Sequence, residues 1–322
     1  MTRASLGLLL ALAAVAAPHA GAQPVGRPYR IGILHEGYLP AIAQVQGLKA
    51  GLKVGGLEEG RDVTFEVRVT RGTPEAAPAA AAELVKAGVD LIFTSGEGPT
   101  HAAKAASRTI PIVFVRVGDP VAAGIVAAIA QPGGNVTGVS SLQSELVPKR
   151  LEVLKALVPA LRRVRLVYHV DDRSSIAAIP TAQEAASRLR LELVAQPVRT
   201  LDEVVGALKA FQSGDGLLAP LAPTLNIPGL IRDLTIGARV PAIFYSRDWV
   251  EGGALVSYGS NNYADGVQAA RLVARILRGA RPQDLPVEGT NKIELVLNLK
   301  TARSLGVTIP REILARADQV IE

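Results

Sequence analysis

Two doubly wound α/β lobes, each on a parallel sheet and joined by a three-segment hinge, are what this sequence predicts, on three observations. Continuously apolar, β-branched runs alternate with longer Ala-rich helical stretches, the pattern of parallel strands covered on both faces. The alternation runs through once and then restarts after QPGGNVTGVSS (131–141). With its first twenty-two residues set aside, the 322-residue chain exceeds one ordinary domain and suits two of ~140 residues.

In order along the chain, YRIGIL (29–34) is a buried strand, followed by a helix around 41–51. VTFEVRV (63–69) alternates at period two, and a helix over 74–86 ends at Gly88. VDLIFTSG (89–96) and IPIVFVRVGDP (110–120) are two more strands, separated by a helix near 99–107. The second unit opens with an amphipathic helix that puts Val147, Leu151, Leu154 and Val158 on one face. RVRLVYHV (163–170), LELVAQPV (191–198), GLLAP (216–220) and VPAIFYS (240–246) are its strands, with helices between them. GGALVSYGSNN (252–262) and TNKIELVLNLKT (290–301) read as further crossings between lobes. A helix over 263–278 then returns to the first lobe and the C-terminal tail to the second. The expected division is 23–141 plus 261–289 for lobe 1, and 142–260 plus 290–322 for lobe 2.

The N-terminus addresses the chain for export. Arg3 supplies a positive start, Leu6 to Ala17 an apolar stretch, and Ala20-Gly21-Ala22 small residues for cleavage before Gln23. That stretch is too short to span a bilayer, which takes ~20 residues. The mature protein is therefore expected in the periplasm, without access to cytosolic ATP or NAD, and no cofactor is expected. The chain has no cysteine, which excludes disulfides, thiolate metal sites, a cysteine nucleophile and a lipid-modified cysteine. Net charge is +6, yet Arg271, Arg275 and Arg278 share one helix face as solvated groups do, and aromatics are only 4%, so nucleic acid is not an expected partner.

No GxxxxGK[ST], HExxH, GxSxG, GxGxxG or CxxC occurs, and the four histidines are far apart in sequence, so no metal site is expected. His35 and His169 each follow a strand and could meet across a cleft. In open parallel sheets the ligand crevice lies beyond the carboxyl ends of the strands, where Gly37, Gly96, Gly118 and Pro120 punctuate this sequence. Asp119 is the leading candidate: its carboxylate meets a ligand ammonium, or it caps a helix starting at Pro120. Ser95 and Gly96 end a strand before a helix, where backbone N–H groups attract an anion, or simply make the turn. Gly118 lies beside Asp119. Glu36 and Tyr38 follow the first strand, Glu97 the third, and His169 and Asp171 the first strand of the second lobe. Tyr245, Ser246 and Asp248 end that lobe's last strand, and Tyr258 sits near a crossing. Trp249, the only tryptophan, is placed to report closure. Nothing arranges Glu36, Glu97, Asp119 and Asp171 as a catalytic set.

The segments IPIVFVRVGDPVAAGIVAAIAQPGGNVTGVSS, KRLEVLKALVP, RDWVEGGALVSYGSNN and LPVEGTNKIELVLNLKTARSLGVTIP resemble, in order and spacing, one family. It is the ABC-transporter substrate-binding proteins related to the tryptophan/tyrosine-binding TrpX group, with the periplasmic-binding-protein type I fold. The resemblance runs from RIGIL to ARADQVIE. It implies a monomeric, non-enzymatic protein that closes on a small polar, amino-acid-like solute and presents it to an ABC permease at the inner membrane. The family's Ser/Thr-Gly turn falls on Ser95-Gly96, its Gly-Asp-Pro on Gly118-Asp119-Pro120, and its Arg-Glu-Phe-Val on Arg247-Asp248-Trp249-Val250. Three departures stand out: Tyr168-His169-Val170 for Trp-Asn-Pro, Ala222-Pro223 for Asp-Pro, and Asp248 for Glu. The competing readings are an exported hydrolase using the same cleft, the effector domain of a transcription regulator, and a periplasmic sensor for a membrane receptor. The first lacks a nucleophile elbow and the second a helix-turn-helix.

Overall fold

The computed structural model describes residues 27–37, 42–71, 73–219 and 229–322. The expected export segment, Tyr38 and Ala222-Pro223 lie outside the described residues. The first lobe begins with β1 (Tyr29–His35), α1 (Ala43–Val54), β2 (Val63–Val69), α2 (Ala77–Lys86), β3 (Leu91–Ser95), α3 (Glu97–Ala106), β4 (Ile112–Val117) and β5 (Val136–Ser140). The chain then crosses to α4 (Val147–Leu157), β6 (Arg163–His169), α5 (Arg173–Arg188), β7 (Glu192–Val198) and α6 (Leu201–Lys209). β8 (Asp215–Leu218), α7 (Leu230–Gly237), β9 (Ala242–Phe244), α8 (Arg247–Glu251) and β10 (Val256–Ser260) complete that run. α9 (Asn262–Leu277) and β11 (Glu288–Gly289) return to the first lobe, and β12 (Ile293–Asn298), α10 (Leu299–Leu305), α11 (Arg311–Ala315) and β13 (Gln319–Ile321) to the second.

The first sheet has the order β2-β1-β3-β4-β5-β11, all parallel. The second repeats the winding as β7-β6-β8-β9-β10 and adds β12 and β13. β12 runs antiparallel to β10, because the chain enters it from the crossing end; the second sheet is therefore mixed. Apolar strand runs are continuous because both faces are buried. In β1, Ile31 and Ile33 pack under α1 and α9, whereas Leu34 points to the α2–α3 side, and all three are fully buried. No helix among the described residues is long and apolar enough to cross a membrane.

α1 and α9 touch backbone to backbone. A Cβ on Gly266 would sit 2.1 Å from the Gln44 carbonyl oxygen, and one on Gly47 2.0 Å from that of Tyr263. α9 thus clamps the second crossing to the first lobe. Asn261 donates to Glu294 at 2.7 Å, and Thr290 donates to Asp265 at 2.6 Å, tying the second and third crossings together. Burial raises the Asp265 carboxyl to about 6, against the Thr290 and Ser260 hydroxyls that lower it.

Three local expectations change. β5 forms inside the glycine-rich stretch that reads as a crossing; Gly138 is required there because a Cβ would meet the Phe114 carbonyl oxygen at 2.3 Å. GGALVSYGSNN and TNKIELVLNLKT supply β10 and β12, so only their ends cross. After Pro120 the chain makes successive turns rather than a helix, with Gly124 at φ +70°.

Candidate functional site

In each lobe the strand order reverses direction beside its first strand, between β1 and β3 and between β6 and β8, which is where a parallel α/β sheet opens a crevice. His35 and His169 end β1 and β6 and play matching parts. His35 Nδ1 accepts from the Gly37 N–H at 3.0 Å, and His169 Nδ1 from the Asp171 N–H at 3.2 Å. Each ring therefore shapes its own turn. Among the described residues, no group of three or more His, Asp or Glu is arranged to hold a metal ion.

The first lobe's crevice is acidic. Gly96 has φ +106°, and a Cβ there would lie 2.9 Å from Glu36 Oε1, so glycine is needed for both the turn and the carboxylate beside it. Ser95 is fully buried, and its hydroxyl has no hydrogen-bond partner among the described residues. Thr100 donates to the Gly96 carbonyl at 2.6 Å and fixes the first turn of α3. Burial raises the Glu36 carboxyl, opposed by Arg116. Asp119 Oδ1 accepts from the N–H groups of Val121 and Ala122 at 3.1 and 2.9 Å, capping the turn that replaces the expected helix. Gly118 packs against Gln143 of the first crossing, which leaves no room for a side chain without displacing it.

Glu97 joins the lobes: its Oε1 accepts the Ser174 hydroxyl from α5 at 2.6 Å. Asp172 caps α5, accepting from Ser174 and Ser175 N–H, and Asp171 beside it is exposed. Burial raises the Glu97 carboxyl to about 7, helped by Asp172 and Glu36 and opposed by the Ser174 and Gly118 hydrogen bonds. The sign follows from the protons bound. From the ordinary value of 4.5 up to about 7, the folded molecule holds a proton on Glu97 that the unfolded chain does not. Stability is therefore lost as pH rises through that window. Between about pH 5 and about pH 8, Glu97→Gln should flatten the fall in melting temperature, since Gln still accepts from Ser174. An unchanged slope would remove Glu97 as its source.

On the second lobe, Ser246 caps α8 and donates to Asp248 Oδ2 at 3.1 Å, and Asn262 at the start of α9 donates to the same oxygen at 2.8 Å. The Trp249 ring stacks on Phe244 with centroids 4.5 Å apart and meets Tyr245 edge-on at 6.3 Å. Tyr245 is buried; Tyr258 is half-buried and packs against the second lobe's core. The expected residues thus divide. Glu36, Ser95, Gly96, Glu97, Gly118 and Asp119 gather at the strand ends of the first lobe, with His169 and Asp171 at the mouth of α5. Ser246 and Asp248 hold the start of α8.

Two arginines escaped the sequence reading. Arg116 interrupts an otherwise apolar β4 at a register shift between Phe114 and Val117, with φ +57°. Its Nη1 is 3.8 Å from Glu36 Oε1, and its charge reaches Tyr245 and Asp248 across the cleft. Arg150, 1% exposed, donates to the carbonyls of Tyr258 at 2.7 Å and Gln143 at 2.9 Å. Burial pushes it down to about 10. In sequence each is a single cation among apolar residues: Arg116 inside a continuous apolar strand, and Arg150 three residues after Val147 on the apolar face of α4.

The family model described as ABC transporter substrate binding protein matches residues 35–321. A relative named Tyrosine-binding protein, from Clostridioides difficile (strain R20291), is 26% identical over 266 residues, 81% of this chain and 75% of its own length. A solved structure of a conserved domain protein from Vibrio cholerae superposes with TM-score 0.82 at 30% identity, covering 91% of this chain and 100% of its own. An ABC domain from Streptococcus pneumonia in complex with L-Trp superposes with TM-score 0.82 at 24% identity, covering 92% and 100%.

Proposed function

Because this chain belongs to the ABC transporter substrate-binding proteins, we propose that it captures an amino-acid-like solute, with tyrosine and tryptophan the leading candidates, between its lobes and hands it unchanged to an ABC permease. The protein acts as a periplasmic monomer after loss of residues 1–22. The observation that carries this reading is the convergence of both lobes' strand ends on one polar crevice, bridged by Glu97 and Ser174. Relatives that bear the name of a tyrosine-binding protein or hold L-Trp support the choice of ligand. Asp119 and Glu36 face the ligand ammonium; Ser95, fully buried, forms the strand end beside the Gly96 turn. Ser246 and Asp248 engage from the second lobe as the cleft closes, with Trp249 beside them. Binding by closure needs only burial and matched polar groups, not groups that favour a transition state over a ground state.

Thermal denaturation against the twenty amino acids tests this. A ligand that binds only the native state adds RT ln(1 + [L]/Kd), about 2.7 kcal/mol at 100 Kd. L-Tyrosine or L-tryptophan should raise the melting temperature most. A flat response to all twenty would defeat the amino-acid reading.

A further inference from the structure

We infer that Arg116, carried into the cleft by the bulge in β4, reads the carboxylate of the ligand, so that the cleft selects carboxylate-bearing compounds over their decarboxylated amines; this rests on the amino-acid reading above.

A ligand carboxylate is first drawn to helix N-termini, where free N–H groups and the helix dipole favour an anion. Here those places are taken. α3 begins with Glu97, and Glu36 lies against the Gly96 turn that precedes it. α5 is capped by Asp172, and α8 is capped by Ser246 with Asp248 in its first turn. A third carboxylate placed beside Glu36 and Glu97 would enter a crevice whose burial already disfavours the ionised form of both.

Arg116 offers the opposite environment. A β-bulge re-aims the side chain of the residue it displaces, and Arg116 sits at that displacement with φ +57°, a conformation L-residues seldom adopt. Its side chain keeps 19% exposure, and the Glu36 carboxylate is 3.8 Å away, beyond hydrogen-bond distance. The pair is loose, and a guanidinium has five donors in a fork that fits a carboxylate. An α-amino acid carries its two charges on neighbouring atoms of one carbon. An arginine and a glutamate held side by side but not bonded present the complementary pattern: the carboxylate meets Arg116 and the ammonium meets Glu36. From the second lobe the Tyr245 hydroxyl accepts a hydrogen bond from Arg116 and Asp248 adds negative charge near it, so both lobes already meet at this guanidinium, which keeps further donors for a carboxylate. The Arg150 Nη2 has no hydrogen-bond partner among the described residues, and the Arg150 charge also reaches Tyr245.

Titration calorimetry on the mature protein tests this with L-tyrosine and L-tryptophan against tyramine and tryptamine, which lack only the carboxylate. The wild type is expected to bind each amine about 100-fold more weakly than its amino acid. Arg116→Gln should lose about as much affinity for tyrosine and no longer distinguish it from tyramine; Arg116→Lys, which keeps the charge but not the fork, should recover part of the preference. Equal binding of tyrosine and tyramine by the wild type overturns the inference whatever the variants do. So does an Arg116→Gln protein, folded by circular dichroism, that keeps the preference. If tyrosine and tryptophan both fail to bind, the aromatic reading falls by itself. The inference is then judged on the other proteinogenic amino acids against their own amines, and binding of none of the acids overturns both.

Discussion

Asp119→Ala is expected to weaken binding of tyrosine or tryptophan by about 2–5 kcal/mol, the cost of removing one partner from a desolvated charge pair. It should lower folding stability far less, by ~1 kcal/mol, as loss of a cap does. The two effects are separable because the carboxylate has two oxygens. Oδ1 accepts from Val121 and Ala122 and belongs to the turn. The ligand ammonium is assigned to Oδ2. Affinity and melting temperature measured on the same variant divide the roles. Lower stability with unchanged affinity would leave Asp119 a turn cap and move the ammonium to Glu36 alone.

Gly266→Ala is expected to cost the fold roughly 1–3 kcal/mol, at the upper end for overpacking. The added Cβ would lie 2.1 Å from the Gln44 carbonyl oxygen and 2.8 Å from the Leu48 nitrogen, both backbone atoms that no rotamer change can move. α1 and α9 must separate. Because α9 begins at Asn262, whose amide holds Asp248, the shift reaches the second lobe's side of the cleft. The variant should melt earlier and also bind more weakly, whereas Gly206→Ala on α6, with nothing within 4 Å of its Cβ, should do neither. Equal melting of the two variants would contradict the tight α1–α9 contact.

The strands of both lobes are legible in the sequence because sheets buried on both faces need continuous apolar runs, as in Ile31 to Leu34 and Ile112 to Val115. Rules about strand ends reach Glu36, Ser95, Gly96 and Asp119 for the same reason. β5 was hidden because Gly138 serves close contact with Phe114, while in sequence glycine signals a turn. Arg116 was hidden because a lone charge in a strand carries no information about which face or end a bulge will aim it at. Arg150 follows Lys149 and reads as one more solvated cation, yet it is buried and donates to the Tyr258 carbonyl. The Glu97–Ser174 contact joins residues 77 positions apart across two lobes, and no local pattern encodes it. The ligand is less legible than the fold, because strand patterns place side chains such as His169 and Asp248 at strand ends without saying what they bind.

Equilibrium dialysis of the mature protein against labelled L-tyrosine and L-tryptophan, followed by denaturation and recovery of the bound compound, tests capture without chemistry most directly. One equivalent should be bound per chain and released chemically unchanged. Product accumulating beyond one equivalent, or no retention of either amino acid, would contradict it.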